Sequence, residues 1–472
     1  MIGEYFNSQT LINQITGNVT LELRDASSGK VQEKIQSKNF IAQAGTRHLK
    51  YVQRANFFKN GISTLNANAD LDYAQPLSQD HLILTSSTDA TDPAGEWNMF
   101  GKLIGYAGKY TYSGLDTYLG SPNVSLSEAT PTYTKWVFDW STSTGNGTIG
   151  SLGWVNAPTT YQGTASNGPR FYTSATVQDV KTLTSQALRI ARKSSSEYYL
   201  AQSGTPAITV TDGNFSQTST FSVGGQFRAS TSLTGIAWDS ANNKLWVLGV
   251  NGSNAPIIAA YNSAGTLQNG PTTVTNRAYQ SLTFDGTNLW TLVSSAANTL
   301  TLYKIGTNGS DISNVTINLP SYTGTYTGEF PYALAYESSN SWIYIATYAI
   351  SYSGNTTYTG GNGVNTGPSG AIRAYDQSGN EVMPPVSLAV FVPSLNNRYF
   401  MTAMVSDNRF GTYWDFEVID KQQILMPHWE SGSNYTVKRI LFDAMGSRVL
   451  LPSPINKTNS QTLRITYQMD YT

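Results

Sequence analysis

The sequence predicts a mainly all-β protein in two parts: a β-sandwich or jelly-roll-like anchor built from both chain ends, and an inserted four- or five-bladed β-propeller. Three observations predict it. Short alternating strands are separated by Gly, Pro, Asn and Ser turns, a strand-turn-strand unit recurs in the middle, and similar strands occur at both ends. The predicted domains are residues 1–60 (a hairpin plus a helix), 61–165 with 424–472 (the discontinuous anchor) and 166–423 (the propeller).

The first segment predicts a β-hairpin followed by a helix. Apolar and polar residues alternate over 19–23, and Ala-Ser-Ser-Gly at 26–29 supplies a turn before the second strand. Farther on, Leu49, Val52 and Phe57 have loose helical spacing, which predicts the main helix of the chain.

The anchor prediction depends on two distant segments. Strands joined by polar turns fill 61–165, but no second half of a sheet is apparent there. The C-terminal segment, from "YTVKRILFDAMG" to the end, predicts three further strands of the same kind. A sandwich completed from both segments fits these observations, and the region between them is then an insertion at a tolerant loop.

The middle of the chain contains a repeated unit: an aromatic followed by an acid, a polar turn, and a second strand with a Trp or Tyr. The three clear copies pair Trp238-Asp239 with Trp246, Phe284-Asp285 with Trp290, and Tyr336-Glu337 with Tyr344. Weaker copies lie at 188–202 and 396–423. Intervals of roughly 44 to 55 residues suit four-stranded propeller blades with loop insertions. We expect the aromatics to pack between blades and the acids to bind turn backbone.

Composition excludes several classes of function. Charged residues make up 12% of the chain, about half the share in ordinary soluble domains, and the net charge is −1. Without a dense Lys/Arg block, we expect neither nucleic-acid binding nor a polybasic membrane patch. No apolar stretch is long enough to span a membrane, and the start of the chain has no secretory signal pattern. Absence of cysteine excludes disulfides and thiolate metal sites.

The sequence predicts no catalytic residue, no metal site and no cofactor. The three histidines, His48, His81 and His428, fall in separate segments without metal-ligand spacing. No nucleophile elbow or nucleotide-binding glycine pattern is present. The stretch "DGTNLW" (285–290) resembles a sialidase Asp-box but lacks the residue between Asp and Gly, and that motif is structural. Carboxylates of the repeat, at positions 239, 285, 337 and 376, remain the candidates for a glycosidase.

Tyrosine-rich segments give the one indication of a binding site. Residues 321–332 and 346–363 place Tyr among Gly, Ser and Thr, a mixture that is typical of adaptable recognition surfaces. A sugar ring stacks on tyrosine, and hydroxyl and amide groups bind its alcohols. The predicted ligand-binding residues are Tyr322, Tyr326, Tyr348, Tyr352 and Tyr358. Surface loops without a ligand remain the alternative.

Both chain ends resemble bacteriophage proteins. The ending "INKTNSQTLRITYQMDYT" resembles the closing strand of many tailed-bacteriophage tail and fibre proteins, in which a Lys-Thr pair precedes "LRITY". The opening "GNVTLELRDASSGKVQEKIQSKNFIAQAGTRHL" resembles the hairpin and helix that begin many phage minor structural proteins. The resemblance implies a virion component, above all of the tail, that folds in the bacterial host cytoplasm.

The partners implied are other virion proteins, further copies of the same chain, and a glycan of the host cell surface. Virion proteins usually assemble symmetrically, so a homo-oligomer is expected. Two alternatives to a tail or fibre protein stay open: a capsid decoration or vertex fibre protein, and a depolymerase that degrades the host glycan.

Overall fold

The computed structural model describes most of the strands that the sequence predicts. The described residues are 15–41, 81–90, 101–108, 117–130, 132–155, 175–229, 233–296, 299–319, 326–351, 371–387, 389–391, 398–400, 412–413, 415–420, 423–431, 434–442 and 447–471. Regular elements among them are β-strands alone, as the all-β prediction requires. The helix expected near residues 49–57 lies outside the described residues. No helix with the length and apolarity of a membrane span occurs in the described part of the chain.

The strands are numbered in chain order. The first group is β1 (Ile15–Asp25), β2 (Val31–Ile41), β3 (His81–Thr85), β4 (Leu103–Ala107), β5 (Ser121–Pro122), β6 (Glu128–Ala129), β7 (Tyr133–Trp140), β8 (Gly147–Val155) and β9 (Ala175–Leu183). The second group is β10 (Ala187–Ser194), β11 (Glu197–Gln202), β12 (Ala207–Asp212), β13 (Gln217–Ser222), β14 (Gly235–Asp239), β15 (Lys244–Val250), β16 (Pro256–Tyr261) and β17 (Leu267–Thr273).

The remaining strands continue in the same order. They are β18 (Tyr279–Phe284), β19 (Leu289–Ala296), β20 (Thr299–Ile305), β21 (Asp311–Asn318), β22 (Tyr326–Glu337), β23 (Trp342–Ser351), β24 (Ala371–Tyr375) and β25 (Glu381–Ser387). After them come β26 (Ala389–Phe391), β27 (Arg398–Phe400), β28 (Thr412–Tyr413), β29 (Glu417–Asp420), β30 (Gln423–Ser431), β31 (Asn434–Phe442), β32 (Ser447–Lys457) and β33 (Gln461–Tyr471).

The chain divides into two compact units. The first comprises residues 1–174, 382–384 and 443–472, and the second comprises 175–381 and 385–442. The expected division at residue 424 differs from this one, because β30 and β31 pair with each other and with β9 inside the second unit. Pairing partners far apart in the chain thus decide where each unit begins.

The first unit contains a sheet made from both chain ends. Its strand order is β4-β3-β8-β32-β2-β1-β33-β7-β5, and β6 also pairs with β7. The predicted N-terminal hairpin is confirmed, since β1 pairs antiparallel with β2. On its other side β1 pairs with the last strand, β33. Leu21, Leu23 and Ile465 alternate with polar residues and are buried in one core.

This sheet curves so that distant strands share that core. Trp154 on β8 and Tyr467 on β33 are separated by three intervening strands, yet their ring centroids are 5.3 Å apart. Phe138 and Trp140 of β7 belong to the same buried cluster. Large aromatic side chains fill the space between the two halves of the curved sheet, which explains how a single sheet encloses a core.

The second unit consists of antiparallel four-stranded sheets arranged in a ring. The first four sheets have the strand orders β10-β11-β12-β13, β14-β15-β16-β17, β18-β19-β20-β21 and β22-β23-β24-β25. A fifth combines β30, β31 and β9, with β28 and β29 each pairing with β30. Within the described residues, β10, β14, β18, β22 and β29 are neighbours in that order, and β29 returns to β10. Five sheets around an axis are the arrangement of a β-propeller.

The fifth sheet joins the two ends of the second unit. Strand β9, from its beginning, pairs antiparallel with β31, from its end. This pairing fixes the first and last segments to each other and closes the ring. Tyr399, in the weak copy at 396–423, lies in β27, which pairs only with β26 among the described strands. The fifth sheet instead uses β30 as its second strand.

The repeat aromatics pack between neighbouring sheets, as predicted. Trp246 of the second sheet shares a buried cluster with Leu282 of the third. Trp290 of the third sheet shares one with Leu334 of the fourth. Their roles explain why the spacing of these aromatics follows the spacing of the blades.

Candidate functional site

The predicted tyrosine site is described only in part. Tyr326 lies in β22 opposite Ser351, and Tyr348 lies in β23 opposite Phe330. Both are strand residues and not loop residues, because β22 and β23 extend well beyond the repeated unit. The other three predicted residues, Tyr322, Tyr352 and Tyr358, lie outside the described residues.

The carboxylates of the repeat bind the turns that follow them. Oδ1 of Asp239 accepts the backbone N–H of Asn242 at 2.9 Å, and Oδ2 accepts the Asn242 amide at the same distance. Oδ1 of Asp285 accepts the backbone N–H groups of Thr287 and Asn288 at 2.9 and 2.7 Å. The interpretation of these acids as turn residues is confirmed.

Glu337 does the same with its longer side chain. It accepts the backbone N–H of Ser339 at 2.8 Å and that of Asn340 at 3.1 Å, and the Asn340 amide at 2.6 Å. Asn at the third position after the acid is therefore part of the repeated unit, although the spacing alone did not draw attention to it. Asp376 binds the turn after β24 in a similar way, through the N–H groups of Ser378 and Asn380, both at 2.9 Å.

Tryptophan on the next strand completes two of these turns. The indole Nε1 of Trp290 donates to Oδ2 of Asp285 at 2.8 Å, and the ammonium of Lys304 lies 3.1 Å from the same oxygen. Trp246 makes the equivalent bond to Asp239 at 3.5 Å. Hydrogen bonds to the ionised carboxylate outweigh burial and hold the pKa of Asp285 below its usual range. These carboxylates already accept several hydrogen bonds from their own turns and the next strand, and they are therefore poor candidates for catalysis.

A second polar cluster lies among the inner strands of the ring, which are β10, β14, β18, β22 and β29. Asp415, which is 2% exposed, accepts the backbone N–H of Ile190 on β10 at 3.2 Å and the hydroxyl of Ser281 on β18 at 3.3 Å. The Ser281 oxygen in turn accepts the N–H of Leu334 on β22 at 3.3 Å. Directly or through Ser281, the Asp415 carboxylate thus connects three of the five inner strands.

Charged neighbours of Asp415 extend this cluster. Arg189 on β10 donates to the carbonyl oxygens of Thr234 and Gln280, and so connects two further sheets to the first. Burial raises the pKa of Asp415 to about 7, and Arg189 opposes that rise. Burial, together with the Asp415 carboxylate, raises the pKa of Glu417 to about 8. A protonated carboxyl is therefore available in the cluster near neutral pH.

A pocket of about 340 Å³ lies on the outer face of the first unit's sheet. Its lining residues are Arg24, Ser121, Asp139, Trp140, Ser141, Thr144, Thr462 and Arg464. Four hydroxyl side chains, two guanidinium groups and one carboxylate line it together with Trp140. Such a surface suits a small polar ligand, and the volume is near the lower end of the roughly 300–1,000 Å³ found for small-molecule sites.

Strand register places the charged groups of this pocket side by side. Glu22 is directly opposite Arg464, and Arg464 is directly opposite Asp139. Lys34 continues this row beyond Glu22, and Ser121 continues it beyond Asp139. Glu22, Arg464 and Asp139 each lie between core residues on their strands, so their side chains point to the opposite, outer face. Side chains directly opposite on antiparallel strands interact, which explains the alternating charges.

The ion pairs of the row have specific geometry. Arg464 holds Asp139 with Nε and Nη2 at 2.7 and 3.0 Å, and the Asn123 amide donates to the same carboxylate at 2.6 Å. Arg24 pairs with Glu22, and its own Nε is buried without a hydrogen-bond partner in the described residues. Arginine hydrogen bonds lower the pKa of Glu22, and those to Asp139 raise the pKa of Arg464.

The loop after β7 forms another wall of the pocket. The hydroxyl of Thr144 accepts the backbone N–H of Ser141 at 3.1 Å, and Asn146 donates from its amide to the carbonyl of Thr142 at 2.9 Å. Lys457 on β32 then binds Oδ1 of Asn146 at 2.7 Å. The loop is therefore fixed to the C-terminal part of the sheet.

Neither of the two described histidines lies in these sites. His81 and His428 are 1% and 4% exposed, and burial lowers the pKa of His428 to about 3. His48 lies outside the described residues. Within the described ranges, no three His, Asp or Glu side chains are grouped as a metal site requires.

Comparison with known proteins adds little to these observations. Neither a protein-family model nor a curated protein matches the chain. Among solved structures, the PQQ-bound aldose sugar dehydrogenase of Streptomyces coelicolor is similar at 10% identity, with a TM-score of 0.35 over 57% of this chain and 98% of that one. The WD40 propeller domain of Doa1 is similar at 12% identity, with a TM-score of 0.30 over 57% of this chain and 97% of that one. The fold described above rests on strand order and not on these likenesses.

The pocket was not predicted from the sequence, although two of its charged residues are recognisable there as charged positions on apolar strands. Arg464 between two buried residues in "LRI" and Asp139 in "FDW" mark charged positions on strands. Their mutual contact depends on β33 pairing with β7, and no local pattern indicates that pairing.

Proposed function

We propose that this chain is a non-catalytic structural component of a bacteriophage particle, of the tail or its fibres, that contributes to attachment to a host-surface glycan. The resemblance of both chain ends to phage tail and minor structural proteins supports virion membership. In the structure, the two resembling segments contain most of β1, all of β2 and β33, and the last three residues of β32, and these four strands are neighbours in one sheet. We further propose that this sheet is the β-sandwich or jelly-roll-like anchor.

The pocket beside Arg464 is the observation that supports the proposed binding of a glycan. Its lining offers hydroxyl, guanidinium and carboxylate groups beside Trp140. Sugars present hydroxyl groups in several directions, and this lining provides donors and acceptors for them. Tyrosines near 322–358 remain a second proposed contact with the same glycan.

Binding to intact cells tests the proposed function. We expect the fluorescently labelled full chain to bind host cells and to lose binding after the surface polysaccharide is removed enzymatically. Equal binding to stripped and intact cells would contradict a glycan receptor. Antibodies against the chain, applied to intact particles, separate a tail position from the alternative of a capsid decoration or vertex fibre.

One observation favours the alternative of a glycan-degrading depolymerase. Asp415 is buried and Glu417, two residues farther along, is half-buried, and their pKa values are raised to about 7 and about 8. Perturbed carboxyl pairs occur in glycosidases. Incubation with host polysaccharide, followed by an assay for new reducing ends, decides between the two. Turnover that disappears in Asp415→Asn or Glu417→Gln would establish the enzyme and overturn our proposal.

A further inference from the structure

The charges around the pocket do not balance. Three cations, Arg24, Lys34 and Arg464, share the outer face with two carboxylates, Glu22 and Asp139. Every carboxylate of this group already has a cationic partner, at up to 3.4 Å for Lys34 and Glu22. These five side chains therefore carry one more positive than negative charge.

Asp25, an ionised acidic neighbour, lies outside the pocket lining. It is the next residue along β1 and is bound to its own turn: Oδ1 accepts the backbone N–H of Ser28 at 2.8 Å and the hydroxyl of Ser27 at 2.6 Å. The lining itself contains two guanidinium groups against one carboxylate.

The guanidinium of Arg24 also has one hydrogen-bond donor that is not used by the described part of the chain. Nε of Arg24 is buried and has no hydrogen-bond partner in the described residues, whereas its terminal nitrogen is paired with Glu22. An unsatisfied buried donor of a charged group is costly. Register also places Thr462 directly opposite Arg24, so that a hydroxyl lies beside the guanidinium.

We propose that this pocket binds one acidic sugar unit, with the sugar carboxylate at Arg24 and the ring hydroxyls at Ser121, Ser141, Thr144 and Thr462. The inference deepens the proposed function, because it names the chemical class of glycan that the chain would take from the host surface. Guanidinium recognises carboxylate through paired, directional hydrogen bonds, and the hydroxyls of the lining match those of a sugar ring. The volume admits a single unit of a polysaccharide.

Titration calorimetry of the purified full chain tests this inference with four probes. Methyl glucuronoside carries both a carboxylate and ring hydroxyls, methyl glucoside carries the hydroxyls alone, and acetate and inorganic phosphate carry charge alone. We expect methyl glucuronoside to bind at least about tenfold more tightly than each of the others, which corresponds to roughly 1.4 kcal/mol. Equal binding of methyl glucoside, equal binding of acetate or phosphate, or no binding of methyl glucuronoside would each overturn the inference.

Two variants locate the site. Arg24→Gln should reduce the affinity for methyl glucuronoside about tenfold or more, while its melting temperature confirms that it is folded. Arg277→Gln is the matched control, because Arg277 pairs with Asp311 in the other unit at 2.7 Å and should bind the probe as the wild type does. An Arg24→Gln chain with unchanged affinity would place binding elsewhere and contradict the inference.

The cell-binding assay keeps the two proposals apart. Competition by methyl glucuronoside that abolishes attachment supports both. Probe binding in the pocket with attachment that is unaffected by it retains the ligand class and counts against attachment as the function of this site. Attachment without probe binding counts against the ligand class alone.

Discussion

The ammonium of Lys457 donates a hydrogen bond to Oδ1 of Asn146 at 2.7 Å, across 311 positions of the chain. Lys457 is 1% exposed, and Asn146 belongs to the loop that walls the arginine-lined pocket. The contact therefore fixes a loop of the first unit to β32, near the C-terminus. It also places a buried cation next to a neutral partner, and burial lowers the pKa of Lys457 to about 8.

This contact predicts a pH-dependent stability. Lysine in the unfolded chain titrates near 10.5, so between pH 8 and that value the unfolded state binds a proton that the folded state does not. The free energy of unfolding should then rise with pH in this window. Lys457→Met should remove that rise, by up to about 3 kcal/mol between the two limits. Urea unfolding at pH 7.5 and 9.5 measures it, and a rise of equal size in Lys457→Met would contradict the assignment.

The two indole bonds predict graded losses of stability. Trp290→Phe removes a 2.8 Å bond to Asp285, whereas Trp246→Phe removes a 3.5 Å bond to Asp239. Since hydrogen bonds to charged groups contribute more when they are short, Trp290→Phe should cost about 2–3 kcal/mol and Trp246→Phe about 1. Chemical denaturation of the two variants ranks them, and the reverse order would show that packing outweighs the indole bond.

Removal of a repeat carboxylate should destabilise the ring. Asp285→Ala leaves two turn N–H groups, the Trp290 indole and Lys304 without their acceptor, so we expect a loss of about 2–3 kcal/mol. Asp376→Ala is the control, because its turn is exposed, and should cost about 1 kcal/mol. Thermal melting compares them; equal losses would show that the indole and lysine contacts contribute nothing.

Asp415 predicts a pH effect of the opposite sign to Lys457. Because burial raises its pKa from 3.8 to about 7, the folded state binds a proton that the unfolded state lacks between these values. Its contribution to stability is present at low pH and is lost as pH rises through that window. Asp415→Asn cannot titrate, so its stability relative to wild type should improve from pH 5 to pH 7.

Denaturation curves at both pH values give this difference, with Asp420→Asn as the matched exposed variant. A gap between Asp415→Asn and wild type that does not change with pH would contradict the raised pKa. Asp420→Asn controls for the loss of a carboxylate at an exposed position.

Local sequence patterns predicted the elements well where periodicity is strong. Leu21 and Leu23 face the core as the alternation indicates, and the turn at 26–29 joins β1 to β2. The aromatic-acid-turn unit likewise predicted that Trp246 and Trp290 pack between sheets, because the same local conformation needs the same residues each time.

Prediction was weaker where one pattern serves several pairings. Strands β30 and β31 have the same alternation as those of the first unit, and only their pairing with β9 assigns them to the ring. The polar cluster around Asp415 was missed for a similar reason: Ile190, Ser281 and Leu334 meet only where the inner strands converge.

The strand class, the turns and the turn-binding role of each repeat acid could be predicted from the sequence, since all of these depend on residues within a few positions of one another. The pocket could not, because Glu22, Arg464 and Asp139 come from three strands and meet only when those strands pair. Alternation specifies which face of a strand a charged residue occupies, but strand order and register decide which other charge lies opposite it.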